Sequence, residues 1–77
     1  MPKLIEILEK IFQISPEKIT DSLGQSNFDA WDSMTHLILV TELEESFNIQ
    51  IDEEDILEMK SVNDIKRILK KHSVNNF

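Results

Sequence analysis

Seventy-seven residues, 40% of them hydrophobic and none of them cysteine, allow one small domain and exclude a disulfide framework, a thiolate nucleophile and a zinc knuckle. A chain this short buries about 60% of its unfolded surface, which leaves a modest stability of about 5 kcal/mol. The net charge of −7 repels nucleic acid, whose phosphate backbone needs the opposite sign. One glycine and two prolines argue against a turn-rich sandwich, and no window alternates as a set of strands would. Leu, Ile, Glu and Lys dominate, so the expected fold is all-α: a small four-helix bundle, one domain over residues 1–77.

In chain order, Pro2 suits the first position of a helix. Leu4, Ile5, Leu8, Ile11 and Phe12 then make one apolar face through about residue 13. The start, MPKLIEILEKIF, carries charges at Lys3, Glu6, Glu9 and Lys10 and no apolar stretch of signal-peptide length. Ser15-Pro16-Glu17 reads as a cap and a short turn. Residues 19–32 lack a helical period and carry Gly24, Ser26 and Asn27, so they read as a long loop pinned by Leu23, Phe28 and Trp31. A connection of that length is unusual in so small a domain and signals function. A second helix covers Ser33–Phe47. Asp52-Glu53-Glu54-Asp55 offers an N-cap and an acidic first turn for a short third helix through Glu58. An EF-hand loop would need a central glycine and alternating oxygen ligands, which DEEDILE lacks. Ser61-Val62-Asn63-Asp64 reads as a capping-box-like start to a fourth helix. That helix buries Val62, Ile65, Ile68 and Leu69 and solvates Lys66, Arg67, Lys70 and Lys71. SVNNF, from about residue 73, reads as a frayed tail. The longest apolar run, residues 37–40, is far too short to span a bilayer. The expectation is a soluble, cytoplasmic monomer that binds neither membrane nor nucleic acid.

Charge is unevenly placed. Residues 42–58 hold eight acids and no base, whereas residues 60–71 hold five bases and a single acid, Asp64. An acidic run is a solvated face or, more sharply, a docking surface for basic partners, where opposite fields raise the encounter rate.

The second helix sharpens that choice. On a wheel of about 100° per residue, Leu37, Leu39, Val40, Leu43 and Phe47 fall on a core-facing arc. Met34, Ile38, Thr41, Glu42 and Glu45 fall on an outward one. An apolar pair one turn apart, rimmed by acids, resembles a recognition stripe more than scattered surface residues. Ser33 stands at the head of this helix, and three readings compete for it. Ser33 or Asp32 caps the helix by accepting a first-turn N–H, the simplest reading of the residue types alone. A catalytic serine with His36 as its base lacks a G-x-S-x-G elbow, an orienting acid and a chain large enough for a substrate cleft. His36 is then a satisfied or half-exposed helix residue. In the third reading Ser33 is modified, with a phosphate at the positive end of the helix dipole.

WDSM followed by LILVTELEESFNIQI resembles the acyl carrier protein family, whose signature is D-S-L at the start of an acidic second helix. Leu43-Glu44-Glu45-Ser46-Phe47, the apolar Ile49 and Ile51, the D-E-E-D run and S-V-x-D-I follow in register, so the resemblance covers essentially the whole chain. It implies that Ser33 takes a 4′-phosphopantetheine from coenzyme A, transferred by a separate Mg²⁺-dependent holo-carrier synthase or other phosphopantetheinyl transferase. The chain would need no catalytic residue, and the borrowed thiol would explain the missing cysteine. By the same resemblance, Asp32 helps the transferase recognise its serine. Met34, Ile38, Thr41, Glu42 and Glu45 form the docking stripe for acyl-loading ligases and acyl-transfer enzymes with basic patches. Leu8, Ile11, Leu43, Phe47, Ile51, Ile65 and Leu69 become the lining of an acyl channel. Fatty-acid-synthesis carriers usually read D-S-L-D with a further acid close by. Here Met34, Thr35 and Ile38 occupy those places, and Trp31 stands where a small residue is common. These departures point to a carrier for a specialised pathway, with cargo such as a polyketide, a modified lipid, an amino acid or a polysaccharide substituent. The competing reading is an unmodified acidic helical adaptor that binds a basic partner and tolerates Ser33→Ala.

Overall fold

A computed structural model describes residues 3–75 and 77 of the chain. Among these residues four α-helices occur and no strand: α1, Lys3–Phe12; α2, Ser33–Phe47; α3, Glu53–Glu58; and α4, Val62–Lys71. The helix-start reading of Pro2 lies outside the described residues.

α1 packs along α2 in antiparallel sense. At one end Lys3 Nζ donates to the Ser46 carbonyl at 2.8 Å and lies 5.8 Å from the Phe47 ring centroid. Toward the other, Lys10 pairs with Glu42 at 3.7 Å. Leu4, Ile7, Leu8 and Phe12 of α1 meet Leu39, Val40 and Leu43 of α2, and α4 closes the core with Val62, Ile65, Ile68 and Leu69. The four α4 residues are those its periodicity selects. Each such fully buried side chain contributes about 1.5–3 kcal/mol relative to exposure.

Leu37 departs from the expected arc and is exposed. It lies about 60° beyond Val40 around the helix, past the edge of the α1 and α4 contacts. His36 takes the place on the arc that Leu37 leaves. α2 ends at Asn48, whose left-handed φ of 53° suits an asparagine C-cap, and both Asn48 and Ile49 N–H donate to the Glu44 carbonyl. The Glu44 carboxylate then accepts the Ile51 N–H at 2.8 Å, fixing the entry to α3.

Ser15-Pro16-Glu17 opens a single 3₁₀ turn, Pro16–Lys18, without a side-chain cap. The loop from residue 19 to 32 is sewn to the α3–α4 junction. Gln25 N–H donates to the Lys60 carbonyl, Val62 N–H to Leu23 and Asn63 N–H to Asp21. Gly24 and Ser61 form an isolated antiparallel bridge. A Cβ on Gly24 would collide with the Lys60 carbonyl oxygen, so the single glycine of the chain is there for close approach. Leu23, Phe28 and Trp31 pack against the core as pins, Trp31 with its ring centroid 5.2 Å from that of Phe12.

Ser61 caps α4 by accepting the Asp64 N–H at 3.2 Å. The reciprocal bond of the capping box slips by one residue, since Asp64 Oδ2 accepts from Lys60 N–H. Asp52 stands at the N-cap of α3, but its side chain makes no capping hydrogen bond. Past α4, Val74 and Phe77 lie against the core, and the Phe77 carbonyl accepts the Leu4 N–H at 3.2 Å. These contacts hold Val74 and Phe77 to the core, where composition alone reads a frayed tail.

Candidate functional site

Ser33 is the first residue of α2, exposed, with Asp32 as the N-cap. Asp32 Oδ1 accepts the Thr35 N–H at 2.9 Å. This bond, above all, holds the Asp32 carboxyl below the ordinary carboxylate range. Capping is therefore the work of Asp32, and the Ser33 hydroxyl is left for other chemistry. Three residues on, His36 is only 8% exposed. The Trp31 indole N–H donates to His36 Nδ1 at 2.9 Å, and His36 Nε2 lies 2.8 Å from the Ile56 carbonyl oxygen. An indole N–H only donates and a carbonyl only accepts, so the ring is neutral with its proton on Nε2. Both nitrogens are committed, and neither can serve Ser33 as a base. The serine–histidine dyad is excluded by this geometry.

A cleft of about 310 Å³ opens beside Ser33, lined by Gln25, Ser33, His36, Leu37, Ile56 and Leu57. Helical spacing puts Leu37 one turn beyond Ser33 on the same side of α2, and α3 brings Leu57 to face it. Met34 and Ile38 occupy a second stripe, around the helix from the cleft. All four apolar side chains, Met34, Leu37, Ile38 and Leu57, are between 51% and 74% exposed. Leu37 and Leu57 are thus functional candidates that wheel reasoning assigned to the core or passed over. Of the other outward residues, Glu45 is exposed and Thr41 turns its hydroxyl back onto the Leu37 carbonyl at 3.0 Å. Glu42 is half-buried and engaged with Lys10. The proposed channel residues Leu8, Leu43, Ile51, Ile65 and Leu69 are buried in the common core, with Ile11 and Phe47 partly so.

Asp55 is the other residue that sequence reasoning missed. Counted among a solvated acidic run, it is instead 2% exposed. It accepts from Lys71 Nζ at 2.9 and 3.2 Å and lies 3.3 Å from His72 Nε2. The Lys71 hydrogen bond is the largest influence lowering the Asp55 carboxyl, against its burial, and Lys71 is raised in turn. Its position one turn before the buried Met59 was the available signal for an inward-facing carboxylate.

Residues 2–69 match the family described as "Phosphopantetheine attachment site". The chain belongs to the acyl carrier protein family. An acyl carrier protein of Lactobacillus johnsonii is 31% identical over 71 residues, spanning 91% of this chain and 88% of that protein. The carrier's cofactor is therefore 4′-phosphopantetheine. The exposed serine at a helix start, free of capping duty and opening onto a cleft with apolar walls, suits a covalently tethered, partly apolar arm. Carriers of this family are substrates of modifying and acyl-transfer enzymes rather than catalysts. Among the described residues no helix is long and apolar enough to cross a membrane.

Proposed function

We propose that Ser33 Oγ is the attachment point of the phosphopantetheine and that the chain carries acyl or aminoacyl thioesters for a specialised pathway. The observation that carries the assignment is the division of labour at the head of α2: Asp32 caps, and Ser33 is exposed beside the cleft. When bound, the group supplies the thiol that this cysteine-free chain lacks. Asp32 keeps a negative charge next to the serine for the transferase to read. Leu37 and Leu57 offer apolar sides along which an arm can lie, and the committed His36 leaves activation of the hydroxyl to the separate transferase. Met34, Ile38, Thr41, Glu42 and Glu45 form the docking stripe for that transferase and for the acyl-loading and acyl-transfer enzymes. Glu45 is its freest carboxylate.

The specialised pathway rests on the exposed Ile38, an apolar residue where fatty-acid-synthesis carriers present an acid. Housekeeping ketoacyl synthases should therefore elongate acyl groups on this carrier poorly; efficiency equal to that on their own carrier would sink the subtype. Attachment is tested by intact mass after incubation with coenzyme A, Mg²⁺ and a broad-specificity phosphopantetheinyl transferase. The wild type should gain one phosphopantetheine and folded Ser33→Ala none. An adduct on Ser33→Ala would move the site elsewhere; none on the folded wild type would overturn attachment and leave the unmodified adaptor.

A further inference from the structure

We propose that Trp31, His36 and the Ile56 carbonyl form a closed partition between the cleft beside Ser33 and the hydrophobic core, so that the carrier holds short acyl cargo at its surface. This rests on attachment at Ser33. The partition joins three elements through one ring: the loop through Trp31, α2 through His36 and α3 through Ile56, with bonds of 2.9 and 2.8 Å. His36 lines the cleft on one side. On the other, its arc of α2 continues into Leu39 and Leu43, which are completely buried. The indole is backed by Phe12, which in turn meets Phe28 edge-on at 5.1 Å.

An alkyl chain entering the core from Ser33 would have to displace the imidazole. It could offer neither a donor to the Ile56 carbonyl nor an acceptor to the Trp31 N–H. The Trp31 N–H would be left unpaired in buried surroundings, the arrangement that folded proteins avoid most consistently, and the Ile56 carbonyl would keep only the long bond from Met59 N–H at 3.4 Å. The imidazole itself, with both nitrogens committed, gives a polar cargo no further hydrogen bond. What remains is a cleft of about 310 Å³ with Leu37 and Leu57 at its sides, near the small end of the ~300–1,000 Å³ typical of ligand sites. Such a space accommodates the end of the arm and a short acyl group, while a long chain stays outside.

The chain has a single tryptophan, so its indole N–H resonance reports on the partition directly. Arms bearing acetyl, butyryl, octanoyl and palmitoyl groups would be transferred from the corresponding acyl-coenzyme A thioesters, each product verified by intact mass. Across the wild-type series the indole resonance should stay in place, and the melting temperature should not rise from butyryl to palmitoyl. In His36→Leu the octanoyl and palmitoyl forms should move the indole resonance and melt higher than the acetyl form. The wild-type series decides alone if His36→Leu does not fold. A wild-type indole that moves progressively with chain length, with a rising melting temperature, would overturn the partition and leave attachment standing. An unchanged mass would overturn attachment and the partition with it.

Discussion

The short helix α3 is held by two ties at consecutive residues, and they are built in opposite ways. Asp55 is tied to α4 by charge, through Lys71 and His72. Ile56 is tied to α2 without charge, its carbonyl meeting a neutral imidazole that is itself held by Trp31. The charged tie has one end in the core and the other in water, since the Lys71 side chain is largely exposed. The uncharged tie lies on the cleft side, buried at its Trp31 end and part-buried at its Ile56 end. A six-residue helix has too few internal hydrogen bonds to stand alone, so its position is set by these two ties and by Met59. One secures α3 to the bundle, and the other fixes its distance from Ser33.

The largest effect should come from removing the backing of the uncharged tie. Trp31→Ala should destabilise the fold by about 3–5 kcal/mol in urea unfolding, close to the whole stability expected of a domain this size. A loss below about 1 kcal/mol would mean that the indole is peripheral. His36→Leu should cost about 1–3 kcal/mol, because it strands the buried Trp31 N–H and leaves the Ile56 carbonyl only its long bond from Met59 N–H, while keeping apolar volume. Asp55→Asn comes next, at about 1–2 kcal/mol near neutral pH. Its cost should depend on pH. The folded Asp55 carboxyl titrates below its ordinary 3.8, so the stabilisation is complete above that value and is lost as pH falls through the folded pKa. Urea midpoints of wild type and Asp55→Asn should therefore converge in acid below 3.8 and stay apart at neutrality; a constant gap would deny the charged tie its role. The smallest change in stability, within about 0.5 kcal/mol, is expected for the exposed Glu45→Lys. That variant should nevertheless associate more slowly with the transferase, most visibly at low salt. Unaltered association rates would reduce the acidic face to a solvated surface.

The two ties also mark where the sequence stopped being legible. α2 and α4 begin and end where their caps and periods put them, because those signals act within one or two turns. Val62, Ile65, Ile68 and Leu69 were readable from spacing alone for the same reason. Ser33 was visible as a residue of interest, but its release from capping depended on which neighbour reached the Thr35 N–H, and Ser33 and Asp32 are equally competent caps by type. The His36–Ile56 and Asp55–Lys71 contacts span 20 and 16 residues. No period connects residues so far apart, so the histidine was left undecided. The Asp55–Met59 spacing hinted at an inward carboxylate but not at the partner that would make its burial tolerable, and the aspartate was counted with its solvated neighbours. Leu37 failed for a different reason. Hydrophobicity placed it inside, while the partner that would have covered that side, α3, is too short to do so and presents Leu57 to water as well.

The commitment of both His36 nitrogens bears on how long a cargo can wait. Thioesters hydrolyse when a nearby base draws a proton from water, and an imidazole with a free nitrogen is the side chain best suited to do this near neutrality. At this cleft the imidazole has no lone pair to lend, and the walls beside it are leucine. A thioester on the end of the arm, resting in this cleft, should therefore last about as long as one in free solution, giving the carrier a shelf life set by its partners' arrival and not by its own chemistry.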